Sequence, residues 1–494
     1  MGRSLVEIDR SLPEPLHRQV RRALEHAIAM GHLDSQLPLP SSRQLAAELG
    51  ISRNTVNTAY QELLAEGFVE SRPRRGLFVN AEMRQAASTE LTARGVASRF
   101  PWASRLDALP SDGLPHVIKP ARWHEYPYPF IAGQLDTKTF PTGPWLRALR
   151  DALAAENVHS SLQDSGSADD PLLIEMICRH ILPSRGIEAQ PSQVLVTLGS
   201  QEGLYLLSQT LLGAGTTVGV EDPGYLDARH IFRRAGATLI PVPVDAAGIA
   251  GHERLAGTDL IYLTPSHQHP TNVTLSAGRR HQILAMVRGH QTVVVEDDYD
   301  SEFRYQGSPS PALKALDQSD QVVYLGTFSK FLAPGLRLGY LVAAAELVEV
   351  LRDRQRYMLR HPPGHLQRAM ALMIQRGEYH RTVRRHRGRL KTKWEEMCSA
   401  ANDFLPWPTS PPPGGVSIWM TGPAALDSTR WAALAERQGV LFEPGDVYFL
   451  DPGTQRNHLR LGFGAIPLRA IRPGLRILAA LLPEALSPPP SPAP

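Results

Sequence analysis

The chain has 494 residues, 42% of them hydrophobic and 20% charged, with a net charge of +3. That length asks for two domains, and that composition describes an ordinary globular protein. No apolar run approaches the ~18 residues of a membrane span, Met1–Arg10 carries acids where a secretory leader needs an apolar core, and two cysteines, Cys178 and Cys398, exclude a disulfide framework or a metal cage.

A cytoplasmic protein with both cysteines packed in its interior is expected. A charge of +3 permits nucleic-acid binding without pointing to it. Along the chain, Leu16, Val20, Leu24 and Ile28 recur every four residues and predict an amphipathic helix ending near Gly31. Leu37–Pro40 reads as a rigid turn. Ser41–Gly50 is a short helix with a serine start and a glycine stop, and Ser52 caps a third helix carrying Val56, Tyr60 and Leu63 on one side. Gly67–Glu70 and Gly76–Val79 flank Ser71–Arg75, the pattern of a two-stranded wing.

Helix, tight turn and helix make a helix-turn-helix, whose second helix enters the major groove. At the start of that helix Arg53 suits guanine, Asn54 and Asn57 suit adenine, and Ser52 and Thr55 suit phosphate. Arg43 would open the preceding helix near a backbone phosphate. On the wing, Arg72, Arg74 and Arg75 would reach the minor groove or its rim. Composition alone equally allows these residues to form a solvated face.

Residues 81–119 lack sustained periodicity, contain Pro101, Pro110 and Pro115, and read as a linker after a first domain at 1–80. From 120 to 486 strands alternate with helices, an α/β pattern. The Pro-rich tail 487–494 cannot pack a core and is expected to be disordered. In this region Lys330 follows the strand-like run Val322–Ser329, with Arg337 seven residues on. A lysine so placed can form a Schiff base beside an anchored phosphate. Asp297-Asp298-Tyr299 ends another apolar run, and Thr197–Gly203 is a small-residue turn between a strand and a helix, suited to an anion. Singly, each also has a plain explanation as a surface lysine, an acidic strand-end loop or an ordinary turn.

Pro-Ser-Ser-Arg-x-Leu-Ala followed by Leu-Gly-Ile-Ser-Arg-Asn-Thr-Val resembles the winged helices of the GntR regulators, over residues 12–80. The motifs of residues 121–480 resemble the aspartate-aminotransferase superfamily, fold type I of the pyridoxal-phosphate (PLP) proteins. That resemblance implies that Lys330 carries pyridoxal 5'-phosphate as an aldimine and that Asp297 faces the pyridine nitrogen. Tyr299 would sit by the phenolic oxygen, and Tyr225 would stack on the ring. Ser200, Gln201, Thr327 and Arg337 would bind phosphate, and Arg460 would clamp an effector carboxylate. Together the halves resemble the MocR/GabR-type regulators. The fold implied is α/β, a winged helix-turn-helix domain joined to a large fold type I domain. The function implied is a head-to-tail homodimer that binds operator DNA and senses an amino compound. The alternatives are an aminotransferase with an appended DNA-binding domain and a GntR repressor with a cofactor-free domain. The chain also departs from the pattern. His269 occupies the place of an asparagine. Asn272 stands where glycine is expected, its reach to the cofactor open, and Gln163–Pro171 replaces a tyrosine-bearing segment. Asp227 lies where some relatives have a second carboxylate-binding arginine, with Arg229 further on.

Overall fold

The computed structural model describes residues 8–10, 14–73, 75–80, 102, 117, 119–308, 310–330, 332–407, 412–451, 453 and 455–487. They fall into two compact units, Met1–Ser111 and Asp112–Pro494. That division lies inside the stretch read as a linker. Most of that stretch, Arg74 and residues 488–494 of the tail lie outside the described residues.

In the first unit come helices α1 (Leu16–Ala29), α2 (Ser42–Leu49) and α3 (Arg53–Ala65), then strands β1 (Val69–Arg72) and β2 (Gly76–Val79). Val20, Leu24 and Ile28 on α1 are buried in one core with Val56, Tyr60 and Leu63 on α3. The Ser41 hydroxyl accepts from Gln44 N (3.2 Å) to start α2. Gly50 ends it with φ at 62°, a conformation that side chains with a Cβ resist. Ser52 caps α3 by accepting from Thr55 N (3.1 Å). β1 and β2 pair antiparallel from Val69↔Val79 to Arg72↔Gly76. The Leu37–Pro40 turn joins this wing: Leu39 N donates to Leu77 O (2.7 Å), and the Tyr60 hydroxyl donates to Pro40 O (2.7 Å). The turn is thereby pinned to both the wing and α3.

The second unit begins with β3 (Tyr128–Pro129) and is built on an eight-stranded sheet. Its strands are β4 (Val194–Thr197), β5 (Thr217–Asp222), β6 (Thr238–Asp245), β7 (Gly248–Ile249), β8 (Leu260–Leu263), β9 (Val293–Asp297), β10 (Val322–Thr327) and β11 (Gly339–Val342). The order is β4-β11-β10-β9-β8-β5-β6-β7. Neighbours from β10 through β6 are parallel, while β11 runs antiparallel between β10 and β4. Strands covered on both faces need continuous apolar runs, and every residue of β4 and β10 is buried.

After the 27-residue helix Glu378–Phe404 comes a small sheet. It consists of β12 (Ser417–Thr421), β14 (Glu443–Pro444) and β15 (His458–Gly462) in the order β12-β15-β14; β13 (Val440–Leu441) pairs with β3. One hydrophobic cluster runs from Val194 and Tyr324 in the large sheet to Ile418 and Leu461 in the small one. Cys178 and Cys398, expected in the interior, are free and only half-buried. Among the described residues no helix is long and apolar enough to cross a membrane.

Candidate functional sites

The parallel strands align their carboxyl ends, the edge where sheets of this type bind ligands. Thr197, Asp222, Leu263, Asp297 and Thr327 are the last residues of β4, β5, β8, β9 and β10. A cavity of about 380 Å³ lies there. Its walls bring together eight residues singled out from the sequence: Ser200, Tyr225, Asp227, His269, Asp297, Tyr299, Lys330 and Arg460.

Two adjacent carboxylates, Asp297 and Asp298, compete for the role at the cofactor, and strand alternation separates them. Asp298 accepts from Arg185 Nε and from the Tyr324 hydroxyl, each at 2.7 Å. Burial penalises its charge, but the Arg185 guanidinium and the hydrogen bonds from Ser266, Tyr324 and Arg185 together hold its pKa below the usual value. Asp297 lines the cavity and accepts only from the Tyr262 hydroxyl (2.9 Å), leaving Oδ1 buried and unpartnered. Burial pushes its pKa up to about 7. Asp297 is therefore the carboxylate free to meet a ligand.

Lys330 Nζ stands 5.8 Å from the centre of the Tyr299 ring. Burial and Arg460 lower its pKa, which favours the neutral, nucleophilic amine. The Tyr299 hydroxyl is buried without a partner. The His269 ring packs edge-on against Tyr225, Tyr299 and Tyr448 with centres 5.1, 6.0 and 5.4 Å away. Arg460 Nη1 lies 2.9 Å from His269 Nε2. A guanidinium only donates, so Nε2 accepts and the ring proton sits on Nδ1, which is buried and unpartnered. Burial and the nearby Arg460 drive the His269 pKa well down, so the ring is neutral.

An anion cradle adjoins this wall. Ser200 opens the helix Ser200–Leu211 after Gly199, whose φ is 87°. That positive φ favours glycine, and a Cβ at Gly199 would stand 3.3 Å from Arg337 Nη2, so the guanidinium lies close beside the helix start. Arg337, Thr327 and Gln201 lie outside the cavity lining. Arg337 and Gln201 are exposed, and the Thr327 hydroxyl accepts from Ser329 N (3.1 Å). Asn272, a candidate cofactor residue whose reach the sequence leaves open, is turned away. Its amide donates to Ser417 O (2.6 Å), and it packs so tightly against Gly415 that a Cβ there would come within 2.7 Å of Asn272 Oδ1.

Arg460 is already engaged within the chain. It donates from Nε to Ser417 Oγ (3.0 Å) and forms a 3.6 Å ion pair with Glu443. Glu443, opposite Arg460 in the β14–β15 pairing, also accepts from the Tyr448 hydroxyl (2.7 Å) and pairs with Lys119 (2.9 Å). Lys119, Glu443, Tyr448 and Tyr262 escaped sequence reasoning. A glutamate following Val440-Leu-Phe442 was the available signal for Glu443, and Lys119 had none. Asp227 lines the cavity and accepts from the Tyr225 hydroxyl (3.1 Å). Arg229 does not face a ligand: it donates to Tyr448 O, Glu221 O and Asp222.

These atoms fit pyridoxal phosphate. Asp297 Oδ1 is a buried acceptor for a protonated ring nitrogen. Tyr299 and His269 are buried donors for a phenolic oxygen, Lys330 is an amine for an aldehyde, and the Ser200–Arg337 cradle suits a phosphate. No group of His, Cys, Asp and Glu among the described residues could hold a metal.

On the first unit, Arg43, Ser52, Arg53 and Asn54 are exposed, while Thr55 and Asn57 are half-buried. Arg53 Nε donates to Ser42 Oγ (3.3 Å), which ties the start of α3 to α2. No acid occupies the first turn of α3, while Glu62 and Glu66 at its far end pair with Arg21. The amino end of α3 thus keeps its positive potential for phosphate. Arg72 is committed to Glu70 (2.7 Å) and lies 4.2 Å from the centre of the Phe78 ring; Arg75 is exposed.

Comparison with known proteins finds a match for each unit. Residues 131–471 match the family model for aminotransferase class I and II, and residues 16–79 match that for bacterial regulatory proteins of the gntR family. A kynurenine aminotransferase of Pyrococcus horikoshii, solved in complex with PMP, superposes with a TM-score of 0.70 at 26% identity, covering 82% of this chain and 100% of that one. HTH-type transcriptional regulator TauR of Rhodobacter capsulatus is 40% identical over 94% of this chain and 96% of its own. The probable rhizopine catabolism regulatory protein MocR of Rhizobium meliloti is 33% identical over 96% of this chain and 95% of its own. The chain belongs to the MocR-type transcriptional regulators, which join a gntR-family DNA-binding domain to an aminotransferase class I and II domain.

Proposed function

We propose that this protein is a cytoplasmic, homodimeric regulator that binds pyridoxal 5'-phosphate and operator DNA and senses an amino compound at Lys330. One observation carries the reading: a single cavity gathers Lys330, Asp297, Tyr225, Tyr299 and Arg460 in a chain that also carries a winged helix. When bound, the cofactor supplies an aldehyde that amines exchange on and a ring that withdraws electrons. The protein's residues do the rest. Lys330 would hold the aldehyde, Asp297 would keep the ring nitrogen protonated, and Arg460 would orient the effector's acid group. The exposed amino end of α3 reads DNA.

Operator fragments recovered with the protein provide the test. Effector and DNA must be coupled reciprocally, and a coupling of ~1–3 kcal/mol would change operator affinity about 5- to 150-fold. The same factor must appear in effector affinity with and without DNA. An amine that reacts at the cofactor yet leaves operator affinity, DNA bending and transcription in vitro unchanged overturns the reading. The rival, an aminotransferase with an added DNA-binding domain, draws on the complete Lys330–Asp297 pair. Steady-state keto-acid production from a panel of amines would favour it.

A further inference from the structure

We infer that Lys119 is a specificity-determining residue of the effector pocket, reading together with Arg460 the acid group of a short amine that bears one acid. The inference rests on the sensor function proposed above. Lys119 belongs to no motif and lies at the end of the stretch 81–119 that leads from the winged helix. It nevertheless lines the cavity with Lys330 and Arg460.

Its placement is firm. Nζ donates to Ala132 O (2.7 Å) and pairs with Glu443 Oε1 (2.9 Å), while Arg460 stands 3.6 Å from Glu443 Oε2. Glu443 is 4% exposed and further fixed by Ala132 N (3.2 Å) and the Tyr448 hydroxyl (2.7 Å). So held, Glu443 positions two cations and is not itself free to leave. Two cations against one carboxylate leave this wall one positive charge in excess, which a single acid group balances. An ammonium has three N–H donors, and Ala132 and Glu443 occupy two, leaving one for a ligand.

The wall is also close to the reactive amine. A Cβ on Gly133 would lie 3.6 Å from Lys330 Nζ and 3.8 Å from Lys119 Nζ, so both nitrogens flank one glycine. A ligand whose amine replaces that of Lys330 can therefore reach Lys119 only with an acid a few carbons away. Asp227, on the same cavity, disfavours a second acid.

The test titrates the cofactor-loaded full chain with glycine, 3-aminopropanoate and 4-aminobutanoate against propylamine, following the visible absorbance of the cofactor. The compared variants are Lys119→Met, which keeps the stem and loses the charge, and Lys119→Arg, which keeps the charge. The aminoalkanoate that the wild type binds best should lose about tenfold in affinity in Lys119→Met. Propylamine should lose none, and Lys119→Arg should retain most of the preference for the acid. Equal losses for acid and amine, or no loss for either, overturn the assignment, as does a wild type that binds no aminoalkanoate better than propylamine. A chain that shows no cofactor absorbance at all overturns the proposed function, and this inference with it.

Discussion

Arg460 Nη1 and His269 Nε2 share a hydrogen bond of 2.9 Å in which only the arginine can donate. The contact decides which nitrogen of His269 carries the proton, and so gives the residue in the asparagine's place an N–H to offer from Nδ1. Arg460 is in turn held by Glu443 and Ser417. The effector clamp and the wall of the cofactor site are therefore one hydrogen-bonded unit.

That lock is measurable without cofactor. In 15N NMR of the apoprotein His269 should be neutral with its proton on Nδ1. Arg460→Ala removes the donor and should release the ring toward the other tautomer. An unchanged His269 signal in Arg460→Ala would show that something other than the guanidinium sets the tautomer.

Asp297 makes apoprotein stability depend on pH. Its folded pKa is about 7 because of burial, against about 4 in an unfolded chain. A raised folded pKa contributes stability that is present below about pH 4 and is lost as pH rises through about 7. From about pH 5 to about pH 8 the apoprotein Tm should fall more steeply in the wild type than in Asp297→Asn. Parallel curves would mean that the Asp297 carboxyl titrates as in the unfolded chain.

Lys330→Ala removes the amine that holds the cofactor's aldehyde, and Lys330 lies on the second unit, away from the winged-helix residues in sequence. Borohydride should therefore fix cofactor to the wild type and not to the variant, while operator DNA is still bound. A reducible adduct that survives at the same site would assign the role to another lysine.

Arg53→Ala should weaken specific DNA binding by about 1–3 kcal/mol if the exposed guanidinium makes one good base contact. Arg75→Ala, on the wing, should weaken specific and random duplexes more nearly alike. Salt-matched gel-shift series on both duplexes separate the two outcomes; an Arg53→Ala protein with unchanged specific affinity would take Arg53 off the reading surface.

By itself the sequence determined whatever depends on near neighbours. The Ser52 cap, the Gly50 stop and the stripe Val20–Leu24–Ile28 are set within a few turns of chain, so periodicity and capping rules reached them. Asp297 and Lys330 were legible because each lies within a few residues of the end of an apolar strand, where a parallel sheet presents its ligands. Tertiary structure alone decided the partners. The bond from Ala132 N to Glu443 joins positions 311 residues apart, and no local signal places Glu443 between Lys119 and Arg460. Packing also decided that Asp298 goes to Arg185 while Asp297 faces the cavity, and that Asn272 turns to Ser417. The reason is physical: a buried charge or amide must find its partner wherever the closed chain provides one, and that location is a property of the whole fold.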